Sequence, residues 1–182
     1  DTLRADAASS MQSWRRLADH GAWWPAAQST SSWTMPAVAS LQTGLLVSAH
    51  GADCLPEGGC QGIQPGVPTL AELLAARGYR TAAITASPWV TRGTGMARGF
   101  HRFVDLAGVP PLRLVVAGHA AGSFPQDARV SVDEALRWLR GAGKEPFFLW
   151  VHLIGPHMPY LHSADAQLRM LTADRLRSGG VT

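Results

Sequence analysis

Pro146 is followed by six residues, Phe147-Phe148-Leu149-Trp150-Val151-His152, of which only the last is polar. The run is far too short to cross a membrane, which takes roughly 18 apolar residues or more. It does not alternate between apolar and polar, so a strand here is buried on both faces. That is the mark of a central strand in a parallel sheet. Such a strand needs crossover helices, and the sequence supplies them. Thr69-Leu70-Ala71-Glu72 has the form of a capping box, with Glu three residues after the cap. It opens a helix that buries Leu70, Leu73 and Leu74 and stops at Gly78. Residues 81–85 read as a second buried strand. Residues 131–140 read as a helix with Val132, Ala135, Leu136 and Leu139 inward. Helix, strand, helix, strand in this order predicts an α/β fold, a layer sandwich with a mostly parallel sheet. Ligands of such sheets gather at the carboxyl ends of the strands. His152 and the following Gly155-Pro156-His157 fall at such an end.

The remainder is organised around turns. Met11, Trp14 and Leu17 recur at helical spacing within residues 9–20, and Gly21 stops that helix. A Ser/Thr-rich turn at 29–32 leads to Trp33-Thr34-Met35-Pro36. Pro36 suits the first turn of a helix whose apolar face is Val38, Leu41 and Leu45. Residues 49–68 read as a Gly/Pro-rich loop and 87–124 as an irregular region. On local sequence alone Thr34 reads as a helix cap, and the seven tryptophans read as packing residues. His50, in Ala49-His50-Gly51, reads as structural. The net charge of +3 is carried mostly by arginine, with Lys144 the only lysine. It forms no like-charged arm for nucleic acid, but it suits an anionic substrate. Cys54 and Cys60 are too few for structural zinc, which leaves a local disulfide or two free thiols. A disulfide would imply an oxidising compartment. No G-x-S-x-G, P-loop or G-x-G-x-x-G occurs, which argues against serine hydrolases and nucleotide-binding folds.

Four segments, in order, resemble one family. Asp1-Thr2-Leu3-Arg4-Ala5-Asp6 is similar to a metal-binding strand end. Ser32 to Gly44 is similar to a nucleophile segment of the form W-T-x-P-S-x-A-S-L-x-T-G. Pro68-Thr69-Leu70-Ala71-Glu72 and Gly78-Tyr79-Arg80-Thr81 match the helix and strand that follow it. Residues 147–160 resemble F-F-x-x-x-H-x-x-x-P-H-x-P-Y. Together they resemble sulfatase-like hydrolases of the alkaline phosphatase superfamily. The resemblance implies an alkaline-phosphatase-like three-layer sandwich, truncated at both ends. Its first strand, before Asp1, and its later Asp-His-Gly metal region lie outside residues 1–182, which make an incomplete catalytic domain. It implies metal-dependent hydrolysis of sulfate or phosphate esters. Thr34 is the expected nucleophile, Asp1 and Thr34 the expected metal ligands, His157 a catalytic residue, and His152 a substrate-binding one.

The chain also departs from the pattern. Sulfatases carry Cys or Ser at the Thr34 position, within C/S-x-P-x-R, and convert it to formylglycine. Here Val38 replaces the Arg, and oxidation of Thr would give a ketone. Thr nucleophiles occur in related phosphodiesterases and in phosphoglycerol or phosphoethanolamine transferases, so covalent phosphoryl chemistry is easier to support. Ala37 replaces a usual Ser, and where sulfatases carry G-K-W-H after the Thr81 strand this chain has Thr85-Ala86-Ser87-Pro88-Trp89, with neither Lys nor His. The expected cofactor is a divalent metal: calcium for a sulfatase; zinc, manganese or magnesium for a phosphoesterase or transferase. The expected substrate is an anionic ester, small or part of a glycan or lipid, with no nucleic acid and no membrane span. The resemblance places the parent outside the cytoplasm or tethered to a membrane. A fragment that binds without catalysing is the competing expectation.

Overall fold

The computed structural model describes residues 1–8, 11–107 and 128–157. Three sequence readings reach beyond them: residues 9–10 of the first helix, residues 158–160 of the histidine segment, and the irregular region past residue 107. The described elements are α1 (Ala5–Ala8), α2 (Gln12–Asp19), α3 (Thr34–Thr43), α4 (Val47–His50), β1 (Asp53–Leu55), β2 (Gly59–Gln61), α5 (Leu70–Ala75), β3 (Arg80–Thr85), β4 (Arg102–Asp105), α6 (Ala128–Arg140) and β5 (Phe147–His152).

β3 is the middle of a three-stranded sheet in the order β4-β3-β5. Both pairings are parallel, so all three carboxyl ends lie on one edge. The register aligns Ala83 with Phe103 and Trp150, and Ile84 with Val104 and Val151. Side chains alternate across a strand, so each row faces one side. Ile84, Val104, Leu149 and Val151 pack with Ala135 of α6. Ala83, Phe103, Phe148 and Trp150 pack with Ala71 of α5 and with Phe100. Trp150 also reaches the cluster built on Met35, Val38 and Ala39 of α3. The fold is therefore α/β, with helices on both faces of a parallel sheet. The central strand is β3, with an unbroken buried stretch from Thr81 to Thr85. β5, expected to be central and buried on both faces, lies at the edge of the described sheet and is only partly buried, because no described strand covers its other side.

The structure adjusts several expected details. Helix α3 starts at Thr34, two residues before Pro36. Pro36 falls at the third helical position, where its missing N–H costs nothing. The buried face of α3 is Met35, Val38, Ala39 and Gln42, whereas Leu41 is 73% exposed and Leu45 is exposed too. On α5 the capping box forms as expected, but small Ala71 is buried while Leu70 and Leu73 are exposed. The backbone at Gly99 comes so close to α5 that a Cβ there would lie 2.1 Å from the Glu72 nitrogen. Such close contact favours the small face of the helix over its leucines. Helix α6 begins three residues earlier than expected and buries Ser131 and Ala135, with Val132 and Leu136 exposed. The face of α2 carrying Met11, Trp14 and Leu17 is exposed, and Trp14 meets Trp23 edge-on. The loop expected at 49–68 holds the hairpin β1–β2, closed by a disulfide between Cys54 and Cys60, which face each other in register. β4 lies inside the region expected to be irregular.

Candidate active site

The alternation that sends Trp150 toward α3 also sends His152 there, two residues on. His152 ends β5 opposite Thr85. Asp1 reaches the same edge, its backbone nitrogen donating to the Leu153 carbonyl at 2.5 Å. The Thr34 hydroxyl donates to Asp1 Oδ2 at 2.8 Å. Thr34 is not the cap of its helix. The N-cap of α3 is Trp33, without a side-chain cap bond. Thr34 is the first helical residue and spends its hydroxyl on a carboxylate 33 positions away in sequence. The amides of Thr34 and Met35 have no carbonyl four residues back within the helix. Together with the helix dipole they favour an anion beside that hydroxyl.

His152 Nε2 lies 3.7 Å from Asp1 Oδ2, too far for a hydrogen bond. Burial is the main cause that lowers the His152 pKa, to about 4. The ring is therefore neutral at pH 7, and the contact with Asp1 is not an ion pair. Its Nδ1 is buried and has no hydrogen-bond partner among the described residues. His157 follows the cis Gly155–Pro156 bond, and its backbone N–H donates to the Ile154 carbonyl. Asp1, Thr34, His152 and His157 all line one cavity of about 960 Å³. All four site residues expected from sequence thus share one wall.

Trp33, the exposed Trp89 and the serines of the 29–32 turn, which form its rim, also line this cavity. The lining includes β5 from Phe148 to His152 and Val38, Leu41 and Gln42 of α3. Among the described residues β5 pairs only with β3, so its other edge faces this space. Gln42 is 2% exposed, and neither atom of its amide group has a partner among the described residues. Sequence reasoning missed Gln42, although the spacing 34, 38, 42 places it on the stripe of Thr34. It also missed Trp89, which reaches the rim only through the tertiary fold.

The donors present suit part of a hard-cation site. A carboxylate and a hydroxyl within 2.8 Å are oxygen ligands of the type such ions take. No cluster of three or more His, Cys, Asp or Glu suited to a metal occurs among the described residues.

No curated protein matches the chain. The crystal structure of the lipoteichoic acid synthase LtaP from Listeria monocytogenes is similar over 82% of this chain and 41% of that one, with 20% identity and a TM-score of 0.46. The chain thus spans less than half of that structure's length. The family model for sulfatases matches residues 3–171, nearly the whole sequence. The chain belongs to the sulfatase family.

Proposed function

We propose that the protein carrying this domain cleaves or transfers a sulfate or phosphate ester, with Thr34 as the nucleophile. The observation that carries the reading is the Thr34 hydroxyl, bonded to the Asp1 carboxylate at the amino end of α3. Asp1 is placed to take the hydroxyl proton as Oγ1 forms its bond to phosphorus or sulfur. The free amides at the helix start hold the non-bridging oxygens as charge builds on them. The ester's alcohol oxygen leaves and takes a proton from His157. Water, or an acceptor alcohol in the transferase version, then attacks the covalent threonine ester and gives its proton to His157, while Asp1 returns its proton to the departing Thr34 oxygen. His152, kept neutral by burial, offers a hydrogen bond to substrate rather than a positive charge.

Asp1 and Thr34 would hold a divalent cation, with further ligands from elsewhere in the longer protein. When bound, it supplies Lewis-acid activation of the hydroxyl. Threonine cannot form the aldehyde used by sulfatases, and this favours phosphoryl hydrolysis or a phosphoglycerol- or phosphoethanolamine-type transfer over sulfate cleavage. The Cys54–Cys60 disulfide suits an oxidising, extracytoplasmic compartment.

The test is an assay of the full-length protein with aryl sulfate, phosphate monoester and diester substrates across divalent metals, beside Thr34→Ala. Turnover should need the metal and fall by at least ~10³-fold in Thr34→Ala, as for loss of a covalent nucleophile. Unchanged turnover in that variant would remove Thr34 from the mechanism. No turnover from folded, metal-loaded protein would favour a binding role.

A further inference from the structure

Trp33 and Trp89 meet at the rim of the cavity, their ring centroids 5.4 Å apart and their planes at 89°. Trp33 adjoins Thr34 in sequence and packs against the core cluster that contains Met35 and Val38. Trp89 sits in the turn after β3, which three hydrogen bonds tie down, two of them at the Trp89 backbone. The Ser87 N–H donates to Thr85 Oγ1, the Trp89 N–H donates to Ser87 Oγ, and the Trp89 carbonyl accepts from Thr94 Oγ1. The next residue, Val90, is buried in the core. On this fixed backbone the Trp89 indole remains 40% exposed, and it lines the cavity that contains Thr34. An exposed indole already held by an edge-on neighbour loses little freedom when a ligand covers it. The same rim carries Ser29, Ser31 and Ser32, whose hydroxyls suit a ligand with polar edges. A flat apolar face bordered by hydroxyls matches a pyranose ring, which has C–H groups on its faces and hydroxyls around its edge.

Building on the assignment of Thr34, we propose that Trp89, braced by Trp33, sets specificity by stacking on a sugar ring in the alcohol portion of the ester. A small linear alcohol such as ethanol would leave the indole uncovered and gain nothing from it.

The experiment compares hexose and ethyl esters of whichever acid the full-length protein cleaves, in wild type, Trp89→Ala and Trp89→Phe. Trp89→Ala should raise KM for the hexose ester about tenfold, with kcat and the ethyl-ester KM within about twofold. Trp89→Phe should recover most of the loss. An equal rise for both esters, or no rise, would overturn the proposal. Binding of methyl hexoside to Thr34→Ala protein, followed by calorimetry with and without Trp89→Ala, separates this idea from the assignment of the nucleophile. Binding that depends on Trp89 supports the aromatic wall whatever Thr34 does. Binding indifferent to Trp89, or absent in both proteins, overturns the wall and leaves the nucleophile standing.

Discussion

Thr34 begins a helix but caps nothing, because its hydroxyl is committed to Asp1. His50 shows the opposite case, a polar residue whose bonds are wholly structural. Its ring is fully buried, Nε2 pairs with the Ser40 hydroxyl at 3.0 Å, and Nδ1 accepts from the Ala52 N–H at 3.0 Å. That pattern fixes the neutral tautomer with the proton on Nε2. Burial pushes the His50 pKa below its ordinary 6.5. The unfolded chain therefore takes up a proton that the folded chain refuses. The stabilisation is complete above about pH 6.5 and declines as pH falls further. His50→Ala should cost about 3 kcal/mol, from a new cavity and two lost partners. It should also flatten the acid slope of stability, as read by urea denaturation at a series of pH values.

Among the elements, α5 shows most clearly what local sequence achieves. Thr69 accepts from the Glu72 N–H, while Glu72 accepts from the Thr69 N–H at 2.8 Å. The Thr69 hydroxyl also donates to the Arg98 carbonyl, which ties the helix start to the loop before β4. Thr69→Ala should therefore cost about 1–2 kcal/mol, the upper part of the range for a lost N-cap, measured as a shift in the urea midpoint. The box was legible because it needs only residues three apart. The face that α5 buries was not legible, because leucine spacing cannot show that Gly99 brings its backbone against the helix. The same limit applies to α3 and α6, whose exposed leucines fit a helical period but face no packed partner among the described residues.

At the scale of the whole molecule, the sheet divides the interior into two packed layers. Ile84 sits at the middle of the layer beneath α6, 1% exposed, on the central strand. Ile84→Ala should cost 2–5 kcal/mol, as large-to-small changes in a close-packed core do. The loss would be seen as a lower thermal midpoint, with Thr34 chemistry in the surviving folded fraction unchanged. Residues of the candidate site come from the strand-end edge, where α3 and β5 bring their ends together. Separate layers for stability and for chemistry follow from the parallel arrangement, which puts every strand's carboxyl end on the same side.

The sequence by itself determined the fold class, the capping of α5, the buried strand β3, the existence of β5 in the parallel sheet, and four residues that line one cavity. These are features written in short-range chemistry: apolar runs, cap spacing and local motifs. Only the tertiary structure decided that the Thr34 hydroxyl faces Asp1, that His152 is largely covered and neutral, that Gln42 is buried without a partner among the described residues, and that Trp89 stands beside Trp33. Each of these depends on groups far apart in the chain. Their distances, and the dielectric around them, are set only once the helices close on the sheet.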